Sequence, residues 1–503
     1  MRKGKVGDNL RIKEIIKNLK NPGGNLSQRA IRGGFWVFSL KIIQQLFSLT
    51  KLIIIARILA PQDFGLMGIA LLTMATLETF SQTGFQVALI QKKEDIKSYL
   101  DAAWTFLILR GFILFALLYL AAPYVAIFFD VPEVKPILQV IGFSILFQAF
   151  TNIGVIYFQK ELEFNKEFIY QFVGTLADFI VAIIAVLILG NVWALVLGLL
   201  AGNFVRFIMS YLIHPYRPNL SFDIEKIKEL FGFGKWVLGS SILVFLLTQG
   251  DDILVGKLLG ATALGFYQMA YRISNMPATH ITHVISQVSF PIYSKLQHDI
   301  PKLQEAFLKV LQLTAFLSFP IAGLIFVLAP DFTMIFLGEK WMPMVPAMQV
   351  LCIFGALRAI AATMGPIFYS VGKPKFITWG STVQFIILAM VIYPLTIKWG
   401  ILGASISIII PNLLVILYMC KKLINIIACK SIYFINSLFP QIVGSIIMSV
   451  IITFLKFEIS GTHYLVSVIF IIFFGISFYL GVMYVLDKVF NYGLINNLKQ
   501  LLV

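Results

Sequence analysis

Long apolar stretches constrain this chain more than any other feature of its sequence. Stretches of about 18 or more residues recur from Ile31 to Leu486, and each is long enough to cross a hydrocarbon core of about 30 Å as a helix. Hydrophobic residues make up 59% of the 503 residues and charged residues 13%, against about one half and one quarter in soluble domains. A water-soluble fold could not bury so much apolar surface, so the sequence predicts a polytopic membrane protein.

The spans are predicted to be helical, because a long apolar run satisfies its backbone hydrogen bonds in lipid only as a helix. The alternation typical of a membrane barrel is absent from the sequence. The architecture is therefore expected to be all-α with about fourteen spans. In chain order, spans 1 to 14 lie near residues 33–59, 64–90, 101–122, 137–158, 167–189, 192–213, 236–257, 263–291, 308–329, 345–370, 376–397, 400–419, 435–455 and 464–486.

Basic residues predict the orientation of the chain. The formal net charge is +16, and lysines and arginines lie mostly in every second loop. The positive-inside rule explains this pattern as a membrane topology, without nucleic acid as a partner. Both termini are expected in the cytoplasm, and membrane lipids are expected to contact the chain. The three cysteines lack metal-ligand spacing, so no metal site is predicted.

An internal repeat divides most of the chain into two halves. The sequence from residue 36 matches the sequence from residue 236 at a constant offset of 200, which pairs Arg57 with Lys257 and Gly65 with Gly265. Spans 1 to 6 thus repeat as spans 7 to 12. Because each half has an even number of spans, both enter the membrane in the same orientation, related by an axis along the membrane normal.

The repeat predicts the domain organisation and favours a transporter. Two similar bundles that rock about a shared cleft can expose a site to each side of the membrane in turn. The alternative is a duplication that is only structural inheritance. The predicted regions are a basic segment 1–32, a six-helix bundle 33–213, a linker 214–235, a second six-helix bundle 236–430, and two additional helices with a cytoplasmic tail at 431–503.

Polar side chains follow one face of span 8 and of its repeat partner, span 2. Residues spaced by three or four share a helix face, and such a face would lack hydrogen-bond partners in lipid. These faces are predicted to line a cavity, and the alternative is hydrogen bonding between helices with no solute involved. The lining residues would be Thr76, Thr79, Thr83 and Gln86 of span 2, and Asn275, Thr279 and His283 of span 8.

Four arginines are predicted at membrane depth, where each costs about 2.5 to 3.5 kcal/mol near a helix centre. A lipid pyrophosphate would compensate them, since guanidinium offers forked donors to phosphate oxygens. The alternative, pairing with an internal carboxylate or reaching a headgroup, fits Arg206 better because it lies toward the end of span 6. The predicted substrate cations are Arg272, Arg358, Arg110 and Arg206.

Acidic residues at similar depth could bind Na⁺ or H⁺ as coupling ions. The candidates are Glu78, Asp178, Asp251 and Asp252. The repeat offers a second role, because Lys51 and Asp251 occupy equivalent positions. We predict a Lys51–Asp251 salt bridge that closes one side of the cleft and breaks in the other state. No other cofactor and no catalytic residue is predicted.

Two segments carry a family resemblance: RILAPQDFG at residues 57–65 and DILVGKLLGATALGFYQMAYR at residues 252–272. The sequence resembles the Wzx-type polysaccharide exporters of the multidrug/oligosaccharidyl-lipid/polysaccharide superfamily, in the branch that includes colanic acid and teichuronic acid exporters. The likeness extends over nearly the whole chain.

The resemblance implies a fold like that of MATE transporters. It also implies that an undecaprenyl-pyrophosphate-linked oligosaccharide is flipped to the outer leaflet of a bacterial plasma membrane for surface polysaccharide assembly, with polysaccharide polymerases and glycosyltransferases as partner enzymes. The first-helix aspartate of some cation-coupled relatives has no counterpart, since residues 35–59 contain no acid. This departure argues against coupling to protons or sodium ions.

Two other functions stay open at this point. A cation-coupled multidrug antiporter of the same fold would hold an acid-lined pocket, whereas the deep charges here favour arginine. A membrane-embedded polymerase or glycosyltransferase would need a sizeable outside loop with catalytic carboxylates, and the longest predicted outside loops have about ten residues. A transporter rather than an enzyme is therefore expected.

Overall fold

The computed structural model describes residues 26–92, 96–458 and 464–490, and its side chains from residue 36 onward with short gaps. Most of the predicted basic segment 1–32 lies outside the described residues. The part of the chain that is described is helical and contains no strand. Its α-helices are α1 Leu26–Ile58, α2 Pro61–Phe80, α3 Phe85–Gln91, α4 Lys97–Phe129, α5 Val134–Ile141, α6 Phe143–Ala149, α7 Ile156–Lys160, α8 Phe164–Leu189, α9 Trp193–Ile213, α10 Ile224–Leu296, α11 Ile300–Phe332, α12 Val345–Ser370, α13 Lys375–Ile426, α14 Ser431–Glu458 and α15 Tyr464–Phe490.

The helices account for the fourteen predicted spans. Ten candidate spans are found among the described residues, or eleven when the bent segment formed by α5, α6 and α7 counts as one. These numbers count α13 once and leave out α10, although each is long enough for two spans. Non-helical glycines divide them, Gly260 with φ 81° and Gly400 with φ 59°, a backbone conformation that glycine adopts without steric cost. The predicted all-α polytopic fold is confirmed.

The break in α10 preserves the internal repeat. α1 ends at Ile58 and α2 begins at Pro61, and Gly260 interrupts α10 at the position 200 residues further along. The α1–α2 junction and the Gly260 break are therefore equivalent points of the two halves.

Two predicted spans are wrong in detail, because each was expected to be one continuous helix. Span 2 ends at Phe80 and resumes as α3 only after residues 81–84, where Gly84 has φ 68°. Span 4 is bent by 67° between Val134–Ala149 and Ile153–Lys160. Apolar periodicity does not register such breaks, since the chain stays apolar on both sides of them.

Asn152 explains how the bend in span 4 is tolerated in lipid. It is fully buried, and its side chain accepts a hydrogen bond from Gly154 N at 2.9 Å and donates one to Tyr216 O at 2.6 Å. Its backbone N donates to the hydroxyl of Ser210 on α9 at 2.9 Å. These bonds replace those that an interrupted helix loses.

The described chain groups into two compact units. The first contains the chain up to Ile55, Phe80–Ala122 and Pro136–Gly239. The second contains Ala56–Thr79, Pro123–Lys135 and the chain from Ser240 onward. The second unit thus combines the α1–α2 junction and the end of α4 with the later helices. The predicted domain boundaries stay a prediction.

Candidate functional site

A salt bridge inside the first unit joins α1 to α8. Lys51 Nζ lies 2.7 Å from each carboxylate oxygen of Asp178, and both side chains are about three-quarters buried. Thr175, one turn earlier on α8, accepts a hydrogen bond from Gln44 at 3.5 Å. The charge of Lys51 is therefore balanced within its own half of the chain.

Glycines make room for Asp178. A Cβ on Gly198 would lie 2.8 Å from Asp178 Oδ1 and 2.6 Å from Ala182 Cβ, and one on Gly202 would lie 2.9 Å from Asp178 Cβ. The glycine face of α9 thus lets α8 approach closely and fixes the carboxylate, which is how small residues are used in membrane helix packing.

Arg206 is held in the same helix pair. Its side chain lies over Gly174, where a Cβ would come within 2.3 Å of Arg206 Cγ, and its NH1 donates to Asn203 at 3.2 Å. The contacts seen for Arg206 are structural ones between α8 and α9. Its predicted role as a substrate cation stays a prediction.

Arg110 lies beside the break that follows α2. Its Nε donates to the carbonyl of Ser81 and its NH2 to the Ser81 hydroxyl, both at 2.8 Å. A helix leaves its last carbonyl groups unpaired, and a guanidinium is well suited to bind them. Arg110 therefore caps the interrupted helix, while its predicted contact with substrate stays a prediction.

The break also interrupts the polar stripe predicted along span 2, whose role in lining a cavity stays a prediction. Thr76 lies on α2 and its hydroxyl donates to Leu72 O at 2.8 Å, and half-buried Thr79 follows one turn later. Thr83 is buried in the irregular segment 81–84, and Gln86 is exposed on α3. Because the backbone leaves the helical path at Ser81, the four residues do not share one continuous helix face.

In the second unit, the predicted polar residues of span 8 meet Arg358 of α12. Arg358 NH1 donates to the Thr279 hydroxyl at 3.4 Å, and that hydroxyl donates to Asn275 O at 2.9 Å. Asn275 is buried and its amide donates to Tyr271 O at 3.3 Å. Both Thr279 and Arg272, two turns apart on α10, are exposed. The side chain of His283 lies outside the described residues.

This arrangement forms an arginine face, which we define by Arg272, Thr279 and Arg358. Arg272 and Thr279 lie about 18 Å and about 28 Å beyond the Gly260 break, measured along an ideal helix. Both therefore fall within the thickness of a hydrocarbon core. An arginine exposed to hydrocarbon would cost about 2.5 to 3.5 kcal/mol. That this face lines a cavity stays a prediction.

Asp251 and Asp252 lie on α10 before its break. Asp251 is 4% exposed and accepts a hydrogen bond from the buried Tyr267 hydroxyl at 2.6 Å. Asp252 is half-buried and bonds the Gln268 side chain. In this structure Lys51 and Asp251, which were predicted to pair with each other, have different partners, namely Asp178 and Tyr267. Half-buried Glu78 also has a partner among its neighbours.

Two glycines make reciprocal close contacts within the second unit. A Cβ on Gly65 would lie 1.7 Å from the carbonyl oxygen of Ala261, and a Cβ on Gly265 would lie 2.1 Å from the carbonyl oxygen of Pro61. Pro61 and Ala261 are themselves repeat equivalents. The start of α2 and the start of the second half of α10 therefore touch through two copies of one contact.

The basic residues Arg57 and Lys257, which precede the two junctions, also make equivalent contacts, each with the other half of the sequence. Arg57 donates to the carbonyls of residues 334–336 after α11, with 3.0 Å from Nε to Phe336 O. Its repeat partner Lys257 binds Asp130 after α4 at 3.0 Å. In addition, Trp341 Nε1 donates to Ala56 O at 2.9 Å. We call the Gly65, Gly265, Arg57 and Lys257 contacts the clasp; the sequence marked these residues only as signs of the repeat.

Comparison with known proteins agrees with the resemblance that the two sequence segments indicated. Residues 54–346 match the model of the family described as polysaccharide biosynthesis protein, which is more than half of the chain and includes the clasp and Arg272. The chain belongs to this family.

Two relatives illustrate the family. The lipopolysaccharide biosynthesis protein WzxC of Escherichia coli is 26% identical over 347 residues, which are 68% of this chain and 70% of the relative. The teichuronic acid biosynthesis protein TuaB of Bacillus subtilis is 30% identical over 293 residues, which are 58% of this chain and 60% of the relative.

A solved structure shares the fold. The lipid II flippase MurJ, in an inward closed conformation, superposes with a TM-score of 0.74 over 90% of this chain and 99% of its own, at 14% sequence identity. The similarity in fold agrees with the predicted all-α polytopic architecture.

Proposed function

We propose that this protein is a flippase that moves undecaprenyl-pyrophosphate-linked oligosaccharide units from the cytoplasmic to the outer leaflet of a bacterial plasma membrane, with both termini in the cytoplasm. It acts in surface polysaccharide assembly, beside polysaccharide polymerases and glycosyltransferases. The proposal takes its substrate class from the family, whose members WzxC and TuaB are named for lipopolysaccharide and teichuronic acid biosynthesis.

The arginine face is the observation that carries the proposal. Arg272 is exposed at membrane depth, and Arg358 donates to Thr279, which lies two turns further along the same face of α10. Two guanidinium groups on one polar face offer forked donors to the oxygens of a pyrophosphate. The exposed hydroxyl group of Thr279 suits the hydroxyl groups of a sugar. In this proposal the arginine face binds the headgroup while the lipid tail remains in the bilayer.

Alternating access requires that one side of the substrate path can close and reopen. The clasp is suited to this task, because it joins equivalent points of the two halves by close contacts to the backbone. We propose that the clasp is closed while the headgroup of the lipid-linked oligosaccharide enters from the cytoplasm. The clasp would then separate when the headgroup is released outside.

A multidrug antiporter is supported less well. Such a transporter would present acids to organic cations, but Asp251 is buried against Tyr267 and Asp178 is neutralised by Lys51. The charged groups of the arginine face are Arg272 and Arg358. An enzyme of the polymerase class would need catalytic carboxylates outside the membrane, and the family relatives give no support for that.

Ion coupling remains a proposal about specific acids. Asp251 and Asp252 fit it best, because they lie at membrane depth without a lysine or arginine partner that the structure shows. Asp178 fits it poorly while Lys51 is bound, since a cation would have to displace the ammonium group. Imposing a Na⁺ or H⁺ gradient on reconstituted Asp251→Asn protein would test the assignment.

The decisive experiment measures flipping of a fluorescent undecaprenyl-pyrophosphate oligosaccharide in proteoliposomes. We expect Arg272→Ala and Arg358→Ala to reduce the rate by at least about tenfold, because each removes a charge-assisted contact of about 1.5 to 3 kcal/mol. Lys398→Ala is the matched control, since it removes an exposed cation near the end of a span without touching the arginine face. Normal rates in both arginine variants would overturn the site, and cationic dye transport by wild type without any flipping would overturn the flippase.

A further inference from the structure

An acid-free region occupies the later part of the chain. No aspartate or glutamate occurs between Glu339 and Glu458. The same interval contains eight lysines and Arg358. Gly400 divides α13 into two helical segments, so the beginning and the end of α13 lie on the same side of the membrane. Five of the lysines lie around these two ends: Lys373, Lys375, Lys421, Lys422 and Lys430. The positive-inside distribution predicts that this end faces the cytoplasm.

Two of these lysines line a groove between the beginning and the end of α13. The groove has a volume of about 550 Å³ and opens to the surface. The residues that line it are Lys375, Phe376, Thr378, Trp379, Thr382, Tyr418 and Lys422. Cations, hydroxyl groups and aromatic rings thus meet in one place, contributed by both ends of α13.

The two ammonium groups are close to one another. Lys375 Nζ and Lys422 Nζ each lie 5.6 Å from the centroid of the Phe376 ring, so they are separated by no more than about 11 Å. Lys422 also lies 5.7 Å from the ring of Tyr418. Flexible lysine stems allow both ammonium groups to reach oxygens of a single phosphate.

The groove lies beside a point where the two segments of α13 approach each other closely. At Gly380, a Cβ would lie 3.3 Å from Val415 and 3.4 Å from Met419, so the two segments of α13 approach closely there. The side chain of Trp379, the residue before Gly380, is 60% exposed. An exposed tryptophan beside lysines at a helix end is typical of the level of lipid headgroups.

We propose that this groove binds the phosphate headgroup of an anionic phospholipid of the cytoplasmic leaflet. Lys375 and Lys422 hold the phosphate, with the hydroxyl group of Thr378 as a further donor, and Trp379 and Tyr418 pack against the glycerol and upper acyl region. An anionic lipid is favoured over a zwitterionic one, since none of the lining residues is a carboxylate that could bind a choline or ethanolamine group. The site is independent of the arginine face and of the transported substrate.

Native mass spectrometry of the full-length protein with added phosphatidylglycerol tests the proposal. We expect the double variant Lys375→Ala/Lys422→Ala to bind this lipid at least about tenfold more weakly than wild type, since each lysine near an anionic headgroup contributes about a fivefold effect. The control double variant Lys373→Ala/Lys421→Ala removes the same charge from the same end of the helices but outside the groove. Its affinity for phosphatidylglycerol should fall by less than about threefold. Equal loss in both double variants would reduce the site to general surface charge and overturn it.

Three competitors identify the ligand. Phosphatidylcholine should bind at least about tenfold more weakly than phosphatidylglycerol, and equal binding would contradict selection by charge. Inorganic phosphate should fail to displace phosphatidylglycerol at millimolar concentration, and displacement would make this a soluble phosphate site. Preferential binding of undecaprenyl pyrophosphate would reassign the groove to the transported lipid. Because binding is measured without transport, failure here leaves the flippase proposal untouched.

Discussion

At the scale of single residues, charge pairing depends on packing that the sequence does not reveal. Lys51 and Asp251 are equivalent in the repeat, and this equivalence predicted that they would pair. The structure pairs Lys51 with Asp178 instead, because Gly198 and Gly202 of α9 let α8 bring that carboxylate next to α1. Sequence separation and repeat symmetry carry no information on such side-by-side contacts.

A double-mutant cycle on thermal unfolding separates the two pairings. We expect Lys51→Met and Asp178→Asn each to lower the free energy of unfolding by about 1 to 3 kcal/mol, which lies between the values for exposed and buried ion pairs. The effect of the double variant should be clearly smaller than the sum of the two single effects. Lys51→Met with Asp251→Asn should be additive. The exposed pair Lys309 and Glu305 serves as control and should couple by less than about 1 kcal/mol. Stronger coupling of Lys51 to Asp251 than to Asp178 would restore the original prediction.

His214 follows the end of α9 and should make stability depend on pH. Its Nδ1 accepts a hydrogen bond from Tyr216 N at 3.1 Å, and its ring stacks on Tyr157. Burial lowers its pKa below the ordinary value of 6.5, and Lys166 and Arg217 lower it further, although Glu163 opposes them.

The sign of the effect follows from proton binding. The unfolded chain takes up a proton near pH 6.5, whereas the folded protein does so only at lower pH, so stability falls as pH decreases below about 6.5. Melting temperatures of wild type between pH 7.5 and 5.5 should show this decrease. His214→Gln can still accept the hydrogen bond from Tyr216 but does not titrate, so its melting temperature should decrease less. An identical pH dependence in the two proteins would rule out His214 as the cause.

At the scale of helices, breaks decide where side chains point. The repeat and the apolar stretches predicted the number of spans. The break at Gly260 falls between predicted spans 7 and 8, and the break at Gly400 falls at the first residue of predicted span 12. Residues 81–84 and the bend at Asn152 were missed, because hydropathy averages over windows longer than these segments. Ser81, Gly84 and Asn152 are turn-forming residues and were the available signal.

Arg110 should hold the break after α2 in place. Arg110→Ala removes its donors to Ser81, worth about 1.5 to 3 kcal/mol for a charged donor, and we expect faster hydrogen exchange in residues 81–91. Arg110→Lys keeps the charge without the fork and should give an intermediate rate. Unchanged exchange in Arg110→Ala would show that the segment is held by other contacts.

At the scale of the whole molecule, the clasp should control exposure of the α1–α2 and Gly260 junctions. Gly65→Ala or Gly265→Ala places a methyl group within 1.7 or 2.1 Å of a carbonyl oxygen, so the helices must separate. A cost of about 1 to 3 kcal/mol would shift the closed arrangement toward an open one by about 5- to 150-fold.

Maleimide labelling of an Ala70→Cys variant measures this shift, because Ala70 is fully buried in the closed arrangement. The native Cys352, Cys420 and Cys429 are replaced first. Both glycine variants should label faster than the parent protein. Gly481→Ala is the matched control, because a Cβ there meets no atom within 4 Å. Parent-like labelling of both glycine variants would mean that the clasp does not limit access.

The reciprocity of the clasp has a consequence for how the chain arose. A contact in which position 65 meets 261 while 265 meets 61 has the form of an isologous interface, the kind that joins two identical subunits about a twofold axis. A single half-length ancestor could therefore have dimerised in the membrane through one glycine patch, before fusion placed both copies in one polypeptide. Divergence after fusion freed the two copies from identity: Arg57 and Lys257 now bind different groups at equivalent places, which no homodimer could have arranged.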